Sequence, residues 1–176
     1  MVTIYLFIKA MKHGGMSNYM LMWAFILGIS FTNHGTTILL APAMIVGYFL
    51  DWKTGKFGFT NDAMRGILTL IPLFIGGLLF WIYLPIRSAQ GPIVNWGEVH
   101  RSWDAFSYHA FGKQYQVWMF NTGTAKENLP TYWSALIDMT AWILLIPTLF
   151  GLYHSWKVNR SLCIFGILLI FGNLVY

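Results

Sequence analysis

Apolar residues in this chain fall in long blocks, not at the alternating spacing of a strand or the three-to-four spacing of an amphipathic helix. Such blocks predict helices that are apolar all round, as membrane spans are. The first block runs from Tyr19 to Leu50 and is interrupted by Thr32-Asn33-His34-Gly35-Thr36-Thr37. It predicts either one long kinked helix or a hairpin of two short helices, 19–31 and 37–50, with a polar apex. Residues 66–84 form the next span, close to the roughly 20 residues needed to cross about 30 Å of hydrocarbon. Pro72 is placed to kink it, and Gly76-Gly77 to let a neighbour pack closely. Residues 133–153 predict a further span, and 161–176 a shorter one. Residues 2–8 are apolar but too few to cross. Both ends read as helices cut short, so the expectation is a piece of a larger membrane protein, an all-α, polytopic transmembrane domain covering 1–176.

Charge orients this arrangement. Eleven Lys and Arg residues face six acidic ones. In the hairpin reading, Lys9, Lys12, Lys53, Lys56, Arg65, Lys157 and Arg160 share one side. Arg87, Arg101, Lys113 and Lys126 lie on the other, within the longer segment 85–130. That is seven against four, whereas a single long helix would divide them six against five, so the positive-inside rule favours the hairpin. It places 85–130 outside an inner membrane. The cations are scattered singly, which argues against a nucleic-acid partner. The one cysteine, Cys163, excludes an internal disulfide and a Cys-based metal site, and its apolar setting predicts a core or lipid-facing residue. The start of the chain lacks the basic opening of a signal peptide.

The outer segment concentrates the chemistry. Polar loops held by a rigid scaffold carry function disproportionately, and this one holds Arg87, Glu98, His100, Arg101, Asp104, His109 and Lys113. Arg87, just outside a span, can hold a lipid phosphate bidentately or simply snorkel to headgroups, and composition alone favours snorkelling. Asn95 and Trp96 follow the turn residues Gly91-Pro92 and can bond a sugar hydroxyl and stack on a sugar face; the alternative is a Trp that pins the loop to the interface. Residues 103–111 predict an interfacial helix through apolar positions 103, 106, 110 and 111, and His109, Gln114 and Tyr115 add polar groups. Asn33 and His34, at the hairpin apex, can line a site on the same side or merely satisfy a helix break; polar groups at membrane depth weigh for the former. Glu98, Asp104 and Asp138 are the acidic candidates for a base. His100 and His109 are too loosely spaced to argue for a metal. No phosphate-binding loop, nucleophile elbow or zinc-protease motif occurs. Asn159-Arg160-Ser161 fits a glycosylation site but falls on the predicted cytoplasmic side.

Several blocks resemble a known family. They are Gly28-Ile29-Ser30-Phe31-Thr32-Asn33-His34, Leu84-Pro85-Ile86-Arg87-Ser88, Gly91-Pro92-Ile93-Val94-Asn95-Trp96-Gly97, Gln114-Tyr115, and the closing Ile146-Pro147 to Leu152-Tyr153-His154. Together they resemble the bacterial protein O-mannosyltransferase-like family, glycosyltransferase family 117, over about residues 19 to 160. The resemblance implies a C-type glycosyltransferase fold, helical within the membrane, that passes a sugar such as mannose from a polyprenyl-phosphate carrier to an extracytoplasmic protein or glycan acceptor. It implies a site-forming role for Asn33, His34, Arg87, Asn95, Trp96, His109 and Gln114, and membrane lipid as the surroundings. It implies no bound cofactor and leaves divalent-metal dependence open. Families of this type carry an essential acid in a first outer loop rich in Gly, His and Pro. That segment is not in this chain, so no catalytic residue is assigned within it and the acid is expected upstream, with the piece inactive alone. A transporter or flippase for lipid-linked sugars is the competing reading, since broken helices with polar residues suit transporters too. A non-catalytic membrane scaffold is the third.

Overall fold

The computed structural model describes residues 1–14, 16–33, 35–95, 97–113, 122–138 and 141–174. Within them the chain is all-α: α1 (Val2–His13), α2 (Asn18–Asn33), α3 (Ala41–Phe49), α4 (Asn61–Leu78), α5 (Tyr83–Ala89), α6 (Trp103–Ala110), α7 (Thr122–Asp138), α8 (Ala141–Val158) and α9 (Arg160–Leu174). Short 3-10 turns, Gly35–Leu40 and Leu79–Ile82, lead into α3 and α5. The chain divides into two compact units, residues 1–38 with 59–117, and residues 39–58 with 118–176.

In the first unit α2 packs against both α1 and α4. α1 buries Thr3, Leu6, Phe7 and Ala10, a single stripe at helical spacing. α2 answers with Met20, Trp23, Ala24 and Gly28, and the Phe7 and Trp23 rings meet at 5.0 Å. Thr3 Oγ1 lies 3.0 Å from Ser30 Oγ, which itself donates to the Ile26 carbonyl, so hydroxyls as well as methyls join these helices. The α2–α4 crossing depends on glycine. A Cβ on Gly28 would strike the Phe74 carbonyl oxygen and stand 2.9 Å from Gly77 Cα; one on Gly77 would strike the Phe25 carbonyl oxygen. Small residues that bring backbones into contact are characteristic of helices packing in lipid. Gly76, by contrast, meets only the Phe25 ring at 3.8 Å.

α4 starts where Thr60 caps it, the hydroxyl accepting from Ala63 N at 3.1 Å, with Asp62 in the first turn complementing the helix dipole. From there Asn61–Ala89 is a continuous helical rod of 29 residues, about 40 Å long at 1.5 Å per residue. Pro72 is accommodated inside α4. Most of the apolar stretch is exposed, Leu68, Ile75 and Leu79 among it. This is the one helix among the described residues long and apolar enough to cross a membrane, and it is compatible with a membrane location.

The second unit is organised around a turn. Leu50 and Phe57 form an isolated antiparallel bridge, and Asp51 N donates to the Lys56 carbonyl at 2.8 Å. The Asp51 carboxylate accepts from Lys53 N at 2.8 Å, Thr54 N at 3.3 Å and Thr54 Oγ1 at 2.7 Å. α9 packs on α3 and α8. Its Gly172 allows close approach, since a Cβ there would lie 2.5 Å from the Leu39 carbonyl oxygen. Cys163 is buried and its thiol donates to the Leu152 carbonyl at 3.3 Å. Residues 122–130, expected within an outer loop, are helical as the first turns of α7, where the helix formers Ala125, Lys126 and Glu127 cluster.

Candidate functional site

The polar segment after α5 is a folded loop, not a tether. α5 ends with Arg87 and Ser88 in its last turn, and Ser88 is fully buried. Gly91 takes a positive φ of 65° and its N–H closes on the Ser88 carbonyl at 3.1 Å, turning the chain back. The returning chain delivers Asn95. Ser88 Oγ donates to Asn95 Oδ1 at 2.6 Å, and Asn95 Nδ2 donates to the Ser88 carbonyl at 3.4 Å. Ser88 Oγ also lies 2.8 Å from His100 Nδ1. A hydroxyl has one proton, so with that proton on Asn95 the second contact requires the N–H to be on His100 Nδ1. His100 Nε2 is then the ring nitrogen not engaged with Ser88.

A second turn supports this latch. Gly97 N donates to the Asn95 carbonyl at 2.7 Å, and both Gly97 (φ 69°) and Glu98 (φ 55°) are left-handed. Glu98 is the only non-glycine residue with positive φ among the described residues, a conformation that costs a β-carbon-bearing residue about 1–2 kcal/mol. Arg101 N closes on the Glu98 carbonyl at 2.9 Å, and the two side chains pair at 2.6 Å. The pair is exposed, so its contribution is at most about 1 kcal/mol. Val99, between them, is buried and anchors the turn. Ser102 then caps α6, accepting from Ala105 N at 3.1 Å.

Latch and helix border an open groove of ≈ 510 Å³. Its walls are largely apolar: Ile75, Leu79, Trp81 and Pro85 from the rod, Trp103 and Phe106 from α6, with His100 at the loop. Trp81 meets Phe106 edge-on at 6.3 Å and Phe111 at 5.9 Å, which seats α6 on the end of the rod. Volume and lining fall in the usual range of small-molecule sites, mostly apolar with a few placed polar groups.

The residues singled out from sequence divide as follows. Arg87 lies in the last turn of α5 and Asn95 in the loop that follows it. Arg87 is exposed, and Nη1 donates to Gln90 Oε1 at 2.8 Å; a guanidinium carries five N–H donors, enough for an anion as well. Asn95 is committed to Ser88 through both ends of its amide. His109 is in the last turn of α6, half-buried, and Asn33 closes α2, exposed. His34, Trp96 and Gln114, with the Asp138 side chain, lie outside the described residues. Asp104 sits in the first turn of α6. Ser88 and the pairing role of His100 were not visible in the sequence. Asn95 and His100 lie seven and twelve residues beyond Ser88 in a segment with no helical or strand pattern, and only the two glycine turns bring them back to it. Ser88 is buried with its hydroxyl engaged by Asn95 and His100, which makes it a brace of the loop. Among the described residues no group of three or more His, Cys, Asp or Glu side chains is placed to hold a metal ion.

No family model, curated protein or solved structure matches the chain.

Proposed function

We propose that this chain supplies the donor-binding part of a polytopic membrane glycosyltransferase of the protein O-mannosyltransferase-like type, transferring a sugar from a polyprenyl-phosphate carrier to an extracytoplasmic acceptor. The observation that carries the reading is the apolar groove at one end of a membrane-length helix, bordered by a latched loop that bears His100, with Arg87 exposed in the last turn of the helix leading into that loop. An isoprenoid chain is apolar and a carrier headgroup is anionic, so a ligand of this type needs such a groove with a cation beside it. The family resemblance of the blocks around Arg87 and Asn95 supports it.

In the proposed reaction an acceptor hydroxyl attacks the anomeric carbon and loses its proton to a base. The bond from that carbon to the phosphate oxygen breaks, and the carrier phosphate leaves. Arg87 stabilises the charge on the departing phosphate, where preorganised donors act most strongly. Asn95 holds the loop through Ser88. The family resemblance assigns site-forming roles to Asn33, His34, Trp96, His109 and Gln114 as well. The base is assigned to no residue of this chain.

The test is Arg87→Ala and Arg87→Lys in the native protein, assayed for sugar transfer from polyprenyl-phosphate mannose. Loss of a charge-assisted contact of about 1.5–3 kcal/mol lowers kcat/KM about 10- to 150-fold, and lysine restores part of it because it keeps charge without the bidentate fork. Unchanged turnover and donor affinity in Arg87→Ala removes the assignment.

A further inference from the structure

The second unit holds a polar hollow that the glycosyl-transfer reading does not use. It measures ≈ 380 Å³ and lies between Trp52–Gly55 of the turn and Trp156–Ser161 at the junction of α8 and α9. Lys53, Lys157 and Arg160 all line it. The neighbouring acid, Asp51, does not neutralise them by direct pairing. Its carboxylate is turned onto its own loop, Oδ1 accepting from Lys53 N and Thr54 N and Oδ2 from Thr54 Oγ1. Lys53 feels that charge at a distance, but no cation–carboxylate contact within 4.0 Å is found for the three among the described residues.

The walls are tied together by bonds that span most of the second unit's sequence. Asn159 Nδ2 donates to the Trp52 carbonyl at 3.1 Å while its Oδ1 caps α9 through Leu162 N at 3.0 Å. Ser161, 1% exposed, donates to the Asp51 carbonyl at 3.1 Å. Trp52 is wedged beneath, its indole N–H on the Gly47 carbonyl at 2.9 Å and its ring 5.8 Å from Phe165. Two of the cations are steadied by aromatic faces, Arg160 over Trp156 at 5.4 Å and Lys157 over Tyr153 at 5.7 Å. The start of α9 adds the positive end of a 15-residue helix dipole. Three like charges gathered in a braced polar hollow repel one another unless an anion joins them.

We propose that this hollow binds a phosphate group. Arg160 and Lys157 contact it from one wall and Lys53 from the other. The proposal is independent of the donor groove. By the charge distribution along the sequence, these cations belong to the side facing the cytoplasm, where anionic headgroups and soluble phosphates both occur. The same chemistry serves a lipid phosphodiester and a free phosphate, so the experiment separates them.

The protein is placed in nanodiscs of phosphatidylcholine with or without phosphatidylglycerol. Lipid retention is read by native mass spectrometry, and inorganic phosphate or pyrophosphate is titrated calorimetrically into the neutral discs. The wild type is expected to retain phosphatidylglycerol at least tenfold over phosphatidylcholine, which assigns a lipid phosphate, or to bind the soluble anions in neutral discs, which assigns a free one. The double variant Lys157→Gln/Arg160→Gln loses at least tenfold in whichever arm responds. Lys12→Gln, which removes one charge outside the hollow, does not, and Arg160→Lys retains most of the binding. A response in neither arm, or an equal loss in the double variant and Lys12→Gln, overturns the proposal.

Discussion

Removing one oxygen from Ser88 should loosen the whole candidate site. The Ser88→Ala change deletes the bonds to Asn95 Oδ1 at 2.6 Å and His100 Nδ1 at 2.8 Å, and nothing else in the fully buried position clashes with the smaller side chain. Each bond contributes about 0.5–1.5 kcal/mol net. Asn95 is half-buried and His100 exposed, so water replaces the lost partner on each, and the larger penalty of an orphaned buried group does not apply. The sum is about 1–3 kcal/mol, which at 1.4 kcal/mol per decade corresponds to about 5- to 150-fold faster local opening. The amides of Gly97 and Arg101, which donate to Asn95 and Glu98 within the loop, are the reporters. Hydrogen exchange followed by mass spectrometry over 90–102 should accelerate by that factor, while 61–78 in α4 stays unchanged. Ser88→Thr, which keeps the hydroxyl but adds a methyl in a packed site, should fall between. Unchanged exchange in Ser88→Ala would show that the loop is held by Val99 and the groove aromatics alone, and the latch would have no energetic role.

Other perturbations probe the rest of the account. Gly28→Leu should destabilise the α2–α4 crossing by about 1–3 kcal/mol or more, because backbone rather than a flexible side chain must move, whereas Gly76→Ala, facing a ring at 3.8 Å, should leave the melting temperature in detergent nearly unchanged. Equal melting temperatures for the two variants would contradict the crossing. Backbone and side-chain hydrogen bonds from Lys53 and Thr54 hold the Asp51 carboxyl below its ordinary range. The folded-state value is depressed, so this stabilisation is present above the unfolded pKa and is lost as pH falls through the folded one. Exchange at Lys53 and Thr54, corrected for intrinsic rates, should therefore rise on acidification and lose that dependence in Asp51→Ala; a pH dependence that survives the substitution assigns it elsewhere. Asn159→Ala removes both the α9 cap and the bond to Trp52 and should cost about 1–2 kcal/mol, read as faster exchange at Leu162 and Cys163, with no change counting against the brace.

Much of the helical layout was legible because the relevant signals are local. The polar run 32–37 marks the end of α2 at Asn33, the apolar residues 37–50 contain α3, and residues 103–111 carry α6. Gly77 was readable as a close-packing position, although its partner Gly28 was not: which glycine faces which depends on where two helices cross. Helical continuity beyond 66–84 was harder to see. Asn61 and Asp62 look like loop residues until Thr60 is recognised as their cap, and the rod runs on through Arg87 to Ala89 although the apolar run stops at Ile86. The loop chemistry shows the limit most clearly. Arg87 and Asn95 attract attention by type, whereas Ser88 is an unremarkable residue whose importance lies in being buried opposite two others. Asn159 reads as a glycosylation signal along the sequence and is a helix cap with both amide ends in use.

Photolabelling tests the central claim most directly. A polyprenyl-phosphate sugar with a diazirine on its isoprenoid chain is irradiated with the protein in neutral nanodiscs, and labelled peptides are sequenced. The account predicts label within residues 75–111, on Trp81 and Phe106 above all, competed by unlabelled polyprenyl phosphate but not by phosphatidylcholine, and reduced in Arg87→Ala. Labelling spread along the exposed apolar surface of 61–89, and indifferent to the unlabelled carrier, would contradict it.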